Sequence, residues 1–368
     1  MNLPAGKAAQ SSGALSKTKI AAFTLALLGA WLLALAVSLN IGSVRIPVGK
    51  ALALVLRRLS GGDAGGDPMA AVLFSVRLPR ALLGSLVGAS LAVAGTAFQS
   101  LLRNPLADPY VLGVSTGASL GTILYSIFAG WLGLAVAGGV GVGGGFVFAR
   151  PVAAFLGAAL TVGAVYVIAG GSRRRPGGDS QRLLLAGIVL ASFLSSINVF
   201  LLTSVNQADI RGIFYWLIGD LSRPVDASVY PVLGLVFGGV FLLFLLSHNL
   251  NLISLGEEDA LILGVDVRKV KTAVYVIASV ITGAVVSVSG PIAYIGLICP
   301  HLGRMMFGGD NRILVPTVFL FGAIFTLLAD TLARTVLSPA ELPVGIVTAL
   351  AGAPLFIYLL HSKRGSSL

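Results

Sequence analysis

The chain has 368 residues, of which 56% are hydrophobic and 11% charged, and its mean hydropathy is +0.96. Soluble domains carry about 25% charged residues, so this composition excludes a soluble globular protein and predicts a membrane protein. The net charge of +11 does not indicate nucleic-acid binding, because most Lys and Arg residues lie between apolar segments, where the cytoplasmic loops of membrane proteins collect them.

Apolar segments follow one another with short breaks, and about 20 helical residues suffice to cross a bilayer. The predicted fold class is therefore all-α, a polytopic membrane protein of about ten transmembrane helices. Residues 20–361 form this domain, between cytoplasmic tails at 1–19 and 362–368. The predicted spans are 20–39, 82–102, 109–130, 151–171, 183–205, 229–247, 270–289, 293–306, 313–333 and 342–361.

Two segments between spans are predicted to be outer loops. Residues 40–76 are polar and contain a Gly-rich run. Residues 130–145 hold eight glycines and no charge, and they form either an eleventh span or a Gly-rich loop. The loop is favoured because glycine is a poor helix former. This topology places fifteen Lys and Arg residues on the cytoplasmic side and ten outside.

A weak internal repeat links the two halves of the chain at an offset of 195 residues. Five helices per unit would make it an inverted repeat, a common transporter architecture. The matched positions are Gly88-Ala89, Val93, Gly95 and Pro105 with Gly283-Ala284, Val288, Gly290 and Pro300.

Catalytic, metal and nucleotide signatures are weak or absent from the sequence. Gly113 to Gly117 matches G-x-S-x-G, but it opens an apolar helix, where small residues favour close helix packing instead. No phosphate-loop motif occurs, so any ATP is held by another subunit. Cys299 is the only cysteine, and the three histidines are scattered. We therefore expect no catalytic residue, no metal and no cofactor on this chain.

Arg77 and Arg80 open the second span and lie three residues apart, on one helical face. Two interpretations stay open. They are membrane anchors that reach the interface, or they are a docking patch for an acidic protein, to which the planar guanidinium is well suited. Asp330 and Glu341 flank the outer ends of the last two spans and are predicted to form a local ion pair with Arg334.

The segment from Asn104 to Pro109 is the inner turn between the second and third spans. Its two prolines forbid a continuous helix. The segment is either a tight turn alone or a cytoplasmic gate that includes Asn104, Pro105 and Asp108.

Residues 254–264 form the longest inner loop after the N-terminal tail. Ser254 and Glu257 make a predicted capping box, and Gly264 suits a helix end. Three acidic residues in the first turn favour a short surface helix. Its apolar stripe needs a partner, and a protein fits better than anionic lipid, which would repel the acids.

A secondary transporter needs an ionisable residue deep within a span, and the sequence shows no mid-span acid. Near the fifth span, Ser195, Asn198 and Asn206 are candidate pathway residues.

The motifs together resemble the FecCD family of ABC-importer permeases over residues 20–361. They occur in the family's order. They are Arg77-Leu78-Pro79-Arg80, Asn104-Pro105-Leu106-Ala107-Asp108-Pro109, Leu112 to Ala118, Leu255 to Ala260, Gly290 to Leu297, Pro300-His301 and Glu341 to Gly345.

The resemblance implies a permease homodimer in the bacterial inner membrane, with lipid around it, two ATPase subunits below and a periplasmic binding protein above. It implies import of ferric siderophore, heme or cobalamin, with an iron chelate favoured and an ion-coupled secondary transporter as the alternative. Arg77, Arg80 and Arg334 would meet acids of the binding protein. The ATPase would contact Leu255, Gly256, Glu257, Glu258, Asp259, Leu261 and Gly264.

Overall fold

The computed structural model describes residues 17–42, 46–61, 67–131, 148–170, 179–205 and 207–362. Within these ranges the chain forms helices and no strand, so the predicted all-α class is confirmed. The helices are α1 Lys17–Asn40, α2 Val48–Leu59, α3 Pro68–Ala71, a π-helical turn Val72–Arg77, α4 Leu78–Leu101, a 3-10 turn Pro109–Leu112, α5 Val114–Trp131, α6 Ala149–Ile168, α7 Asp179–Leu202, α8 Gln207–Ile218, α9 Val229–Leu245, α10 Ser247–Leu255, α11 Glu257–Ile262, α12 Val267–Ser289, α13 Ile295–Phe307, α14 Asn311–Thr335 and α15 Val344–Ser362.

Each of the ten predicted spans coincides with one of these helices. Within the described ranges, six helical segments are long and apolar enough to cross a membrane, and the α9–α10 pair, bent by 51°, makes a seventh. The helices α5, α13 and α15 match the other three predicted spans. The six segments are Ala21–Asn40, Pro68–Leu101, Ala149–Ile168, Gln181–Leu202, Val267–Ser289 and Asn311–Thr335.

The prediction of a loop over residues 40–76 is wrong in two places. The second span begins at Pro68, and α2 precedes it. Helix α2 is amphipathic: Ala51 and Leu54 are buried in a small cluster with Leu73, while Arg57 is exposed. The sequence prediction missed α2 because a short amphipathic helix beside Gly-rich and charged residues does not form an apolar run long enough to cross a membrane.

The core of the bundle is built around α4, in which every residue from Leu83 to Leu101 is buried. Small residues allow the neighbouring backbones to approach it closely. A Cβ atom added at Gly95 would fall on the carbonyl group of Gly296 in α13. Gly117 meets Gly157 in the same way, which confirms the packing role predicted for the G-x-S-x-G stretch.

The helices α4 and α14 run antiparallel, and their contacts define the two ends of the bundle. At one end Arg80 bonds Asp330, and at the other the Ser100 hydroxyl donates to Asn311 at 3.0 Å. We name the first the arginine end. The second carries the 102–108 turn and α11, and we name it the turn end. Helix α8, which the sequence did not predict, lies at the arginine end, where the Gly345 amide donates to the Gly219 carbonyl at 3.2 Å.

Several sequence predictions fall on residues outside the described ranges. They concern most of the 1–19 and 362–368 tails, the choice between loop and span at 130–145, and Asn206. The inverted repeat stays a prediction. Its last matched pair is not equivalent, since Pro105 lies in a turn and Pro300 lies inside α13.

Candidate coupling surface, gate and arginine cluster

The predicted surface helix at the turn end is α11, which is shorter than expected and begins after Gly256. Gly264 follows it with φ +85°, the left-handed conformation that glycine adopts without strain. The predicted capping box is wrong. Ser254 belongs to α10, where its hydroxyl donates to the Leu250 carbonyl at 2.8 Å.

Exposed apolar and acidic side chains cover α11 and its flanks. Ile262 is 83% exposed, and it was not among the residues predicted to contact the ATPase. An apolar patch of this kind at the end of a bundle indicates a protein-binding surface. We name this surface the coupling patch, and it consists of Leu255, Glu258, Asp259, Leu261, Ile262 and Leu263.

Glu257 differs from the two acids that follow it because it points into the protein and is 5% exposed. It accepts a hydrogen bond from Nζ of Lys271 in α12 at 3.0 Å. Its carboxylate also lies 3.7 Å from Nη2 of Arg103, in the turn that follows α4. Glu257 therefore joins α11 to α12 and to the 102–108 turn and is not presented on the coupling patch.

The predicted gate segment forms a tight turn fixed by its own side chains. Oδ1 of Asn104 accepts from the Leu106 amide at 2.9 Å, and Oδ1 of Asp108 accepts from the Tyr110 amide at 2.8 Å. Pro105 is exposed at the turn end. These bonds account for the shape of the turn, and its gating role stays a prediction.

A polar network at the turn end connects α10, directly before the coupling patch, to α14. Nδ2 of Asn251 donates to Asp310 at 2.6 Å, and Oδ1 of Asn251 accepts from the Asn311 amide at 2.8 Å. The Arg312 guanidinium lowers the pKa of Asp310 to about 2. No local pattern predicts this network, because Asn251 lies about 60 residues from its partners in the chain.

The three arginines predicted to dock a partner all lie inside the arginine end, and none is more than 6% exposed. Arg80 contacts Asp330 with Nε at 3.1 Å and Nη2 at 2.9 Å, and its Nη1 bonds Glu341 at 2.6 Å. Arg334 also reaches Asp330, at 3.2 Å, so the predicted local ion pair is present.

Arg77 donates to the Leu39 carbonyl at 2.7 Å, and Arg334 donates to the Ser38 hydroxyl at 2.7 Å. The arginines therefore fasten α1, α4 and α14 together. In this arrangement Glu341, which is partly exposed, is the charged side chain through which the cluster meets the surface.

The candidate pathway residues on α7 have different positions. Ser195 is exposed beside Ser192 and Ser196, so one face of the helix is polar. Asn198 is buried, and its Nδ2 donates to the Thr116 carbonyl at 3.0 Å, which fixes α7 to α5. In this structure Asn198 joins two helices, and its role in the pathway stays a prediction.

A many-span helical bundle that exposes apolar and acidic residues together at one end fits the class of membrane permeases that work with a partner subunit. A model of the FecCD transport family matches residues 28–362. The chain belongs to this family, whose members are permease subunits of ABC transporters. They are not enzymes, because ATP is hydrolysed by a separate subunit.

Comparisons with individual proteins agree with this assignment. The ABC transporter permease protein YvrB of Bacillus subtilis, which is itself uncharacterized, is 39% identical over 92% of this chain and 94% of its own. The hemin transport system permease protein HmuU of Yersinia pestis is 37% identical over 91% of this chain and 95% of its own length. A solved inward-facing structure of a metal-chelate type ABC transporter matches with a TM-score of 0.77 and 29% identity, and covers 93% of this chain and 99% of its own.

Proposed function

We propose that this permease imports an iron chelate, heme included, as a homodimer with two ATPase subunits and an external binding protein. The observation that carries the proposal is the coupling patch. Its exposed apolar residues need a partner, and its position at the turn end suits an ATPase below the membrane. In this arrangement both termini are cytoplasmic, the arginine end faces outward, and the membrane is the bacterial inner membrane.

ATP-driven movement enters the permease through α11. When the ATPase moves the coupling patch, Glu257 pulls on Lys271 and on Arg103 beside the predicted gate, because it contacts both. The network of Asn251 with Asp310 and Asn311 carries the same movement to α14. The turn with Asn104, Pro105 and Asp108 then opens or closes the turn end.

The pathway is proposed to run between the two permease copies along the polar face of α7. Exposed hydroxyl groups are unfavourable against lipid but suit a water-filled pathway. Ser195 lies on this face with Ser192 and Ser196. Asn206 follows this helix, outside the described residues.

At the arginine end, the docking role of Arg77, Arg80 and Arg334 remains part of the proposal. Because Glu341 already occupies one edge of Arg80, an acidic residue of the binding protein would compete with Glu341 for that guanidinium. Docking would then loosen the link between α4 and the segment that leads into α15.

The test is purification of the tagged chain from its native membranes and identification of the co-purifying proteins. We expect a protein with a phosphate loop, and we expect Ile262→Lys or Leu261→Lys to remove it. Met305→Lys, an exposed residue on α13, serves as the matched control and should retain it. Repeated recovery of the chain alone would instead support an ion-coupled secondary transporter.

The cargo is inferred from the relatives named above, one for hemin and one of the metal-chelate type. The chain's own sequence motifs also fit cobalamin permeases. Uptake of radiolabelled iron chelates, hemin and cobalamin by cells that express the whole transporter decides between them. Cobalamin uptake alone would contradict the iron-chelate proposal.

A further inference from the structure

Helix α8 at the arginine end is flanked by three arginines, Arg150, Arg211 and Arg223. Cζ of Arg150, at the start of α6, lies 5.5 Å from the centre of the Trp216 ring. Nη2 of Arg223 donates to the Gly212 carbonyl at 3.2 Å, one helical turn from Trp216. Arg211 lies over the ring of Tyr215 on the adjacent face of α8.

Arg150 is the most unusual of these residues. Its Nε and Nη2 atoms are buried, and neither has a hydrogen-bond partner in the described part of the chain. Among the side chains that the structure describes, no carboxylate lies within ion-pair distance of Arg150, Arg211 or Arg223. Leaving a buried donor without an acceptor costs about 1 to 3 kcal/mol, and more when the group is charged. A buried donor without an acceptor calls for an explanation, and a bound ligand is one.

The geometry of the two orphaned atoms identifies the ligand chemistry. Nε and Nη2 form one edge of the guanidinium, and that edge binds planar oxyanions through two parallel hydrogen bonds. Two described acids of the loop after α8, Asp220 and Asp226, accept from the amides of Ser222 and Ser228, each at 2.8 Å, and neither forms an ion pair with Arg150. An external carboxylate or similar oxyanion therefore fits the site.

We propose that Arg150, supported by Arg223, binds an ionised carboxylate or similar oxyanion group of the cargo at the outer mouth of the pathway. This inference rests on the proposed function. Helix α8 follows the polar face of α7 after a short turn, so its arginines stand where cargo enters that face. The Nε–Nη2 edge is buried in this structure, so the anion binds in a state of the permease in which this edge is exposed.

The experiment uses Trp216 as a reporter, because Arg150 lies against its ring. Trp31→Phe and Trp131→Phe leave Trp216 as the single tryptophan of the chain. The purified chain in nanodiscs of uncharged lipid is titrated with ferric citrate, an anionic chelate, and with an uncharged hydroxamate iron chelate. We expect a saturable change of Trp216 emission with ferric citrate and none with the uncharged chelate.

Arg150→Gln should weaken ferric citrate binding at least tenfold. Arg150→Lys should recover only part of the loss, because lysine lacks the planar pair of donors. The matched control is Arg58→Gln, which removes another arginine that lies over a ring, that of Phe74, and it should change nothing. Equal affinity in Arg150→Gln, equal binding of the uncharged chelate or the absence of a saturable change would each overturn the proposal.

Thermal unfolding separates binding from a structural role. Because the orphaned donors do not stabilise the ligand-free protein, Arg150→Gln should lower the melting temperature no more than Arg58→Gln, which removes a comparable arginine–ring contact, and a fall several degrees larger would contradict the site. The titration uses the permease alone. If the parent chain does not bind ferric citrate but the ATPase still co-purifies, only the anion site is refuted. If ferric citrate binds but no ATPase co-purifies, only the importer proposal is refuted.

Discussion

Arg80 and Asp330 form a two-point contact although they lie 250 residues apart, with Nε 3.1 Å from both carboxylate oxygens and Nη2 2.9 Å from one of them. The contact fixes the start of α4 against the last turns of α14. Asp330 is completely buried and also serves Arg334. One carboxylate therefore contacts two guanidinium groups inside the arginine end, and Glu341 supplies a second negative charge to Arg80.

Asp330→Asn should strongly destabilise the fold, because it leaves two buried guanidinium groups with less negative charge. Removal of one partner of a buried ion pair costs about 3 to 5 kcal/mol in the free energy of unfolding. The melting temperature in detergent measures the effect. Lys50→Gln is the control, since Lys50 contacts Asp67 at 3.0 Å in an exposed pair, and it should cost about 1 kcal/mol or less. Equal losses in the two variants would contradict the structural role of Asp330.

Glu257→Gln should uncouple the ATPase from transport without removing the ATPase. The coupling patch is unchanged in this variant, but the buried Lys271, 12% exposed, loses its carboxylate partner. We expect the ATPase to co-purify and to hydrolyse ATP while cargo uptake by proteoliposomes falls at least tenfold. The control is Lys269→Gln, which breaks the neighbouring ion pair between Lys269 and Asp266. Because the Lys269 side chain is 85% exposed, this variant should leave uptake intact. Normal uptake by Glu257→Gln would contradict the proposal that Glu257 transmits the movement of α11 to the rest of the permease.

Gly95→Ala should destabilise the bundle because the new methyl group would meet the Gly296 backbone, which has no side chain to move aside. Overpacking of a tight core costs about 1 to 3 kcal/mol or more. Gly234→Ala on α9 is the matched control, because no atom lies within 4 Å of the added Cβ. It should raise stability by about 0.5 to 1 kcal/mol through the helix propensity of alanine. The melting temperatures of the two variants should therefore move in opposite directions.

The pH dependence of stability should reveal Asp310. The hydrogen bond from Arg312 lowers its pKa to about 2, below the usual value of about 3.9. Ionised Asp310 therefore stabilises the fold above about pH 4, and this contribution is lost as the pH falls from about 4 to about 2. The difference in melting temperature between the parent and Asp310→Asn should be constant above pH 5 and shrink below pH 4. A constant difference down to pH 2.5 would rule out the ionic role.

The span pattern was readable from the sequence because hydropathy and helix length are local properties. All ten predicted spans coincide with helices, and the proline turn and the acidic α11 lie where the sequence predicts them. Helices α2 and α8 were missed. Each has only 12 residues, too few to cross a bilayer, and the burial of α2 depends on neighbours such as Leu73.

A many-span permease with an acidic surface helix could be predicted from the amino-acid sequence, since composition, periodicity and motif order are carried by neighbouring residues. The folded chain was needed to show which polar groups face a partner and which bind within the protein. Arg80 points inward because it pairs with Asp330, and Glu257 points inward because it pairs with Lys271. Asn198 is directed towards α5 because it donates a hydrogen bond to the Thr116 carbonyl. Among the described residues, Nε and Nη2 of Arg150 meet no acceptor, because the packing of α6 brings none beside them. The partner of a buried polar group is chosen by helix packing between distant parts of the chain, which no local pattern records.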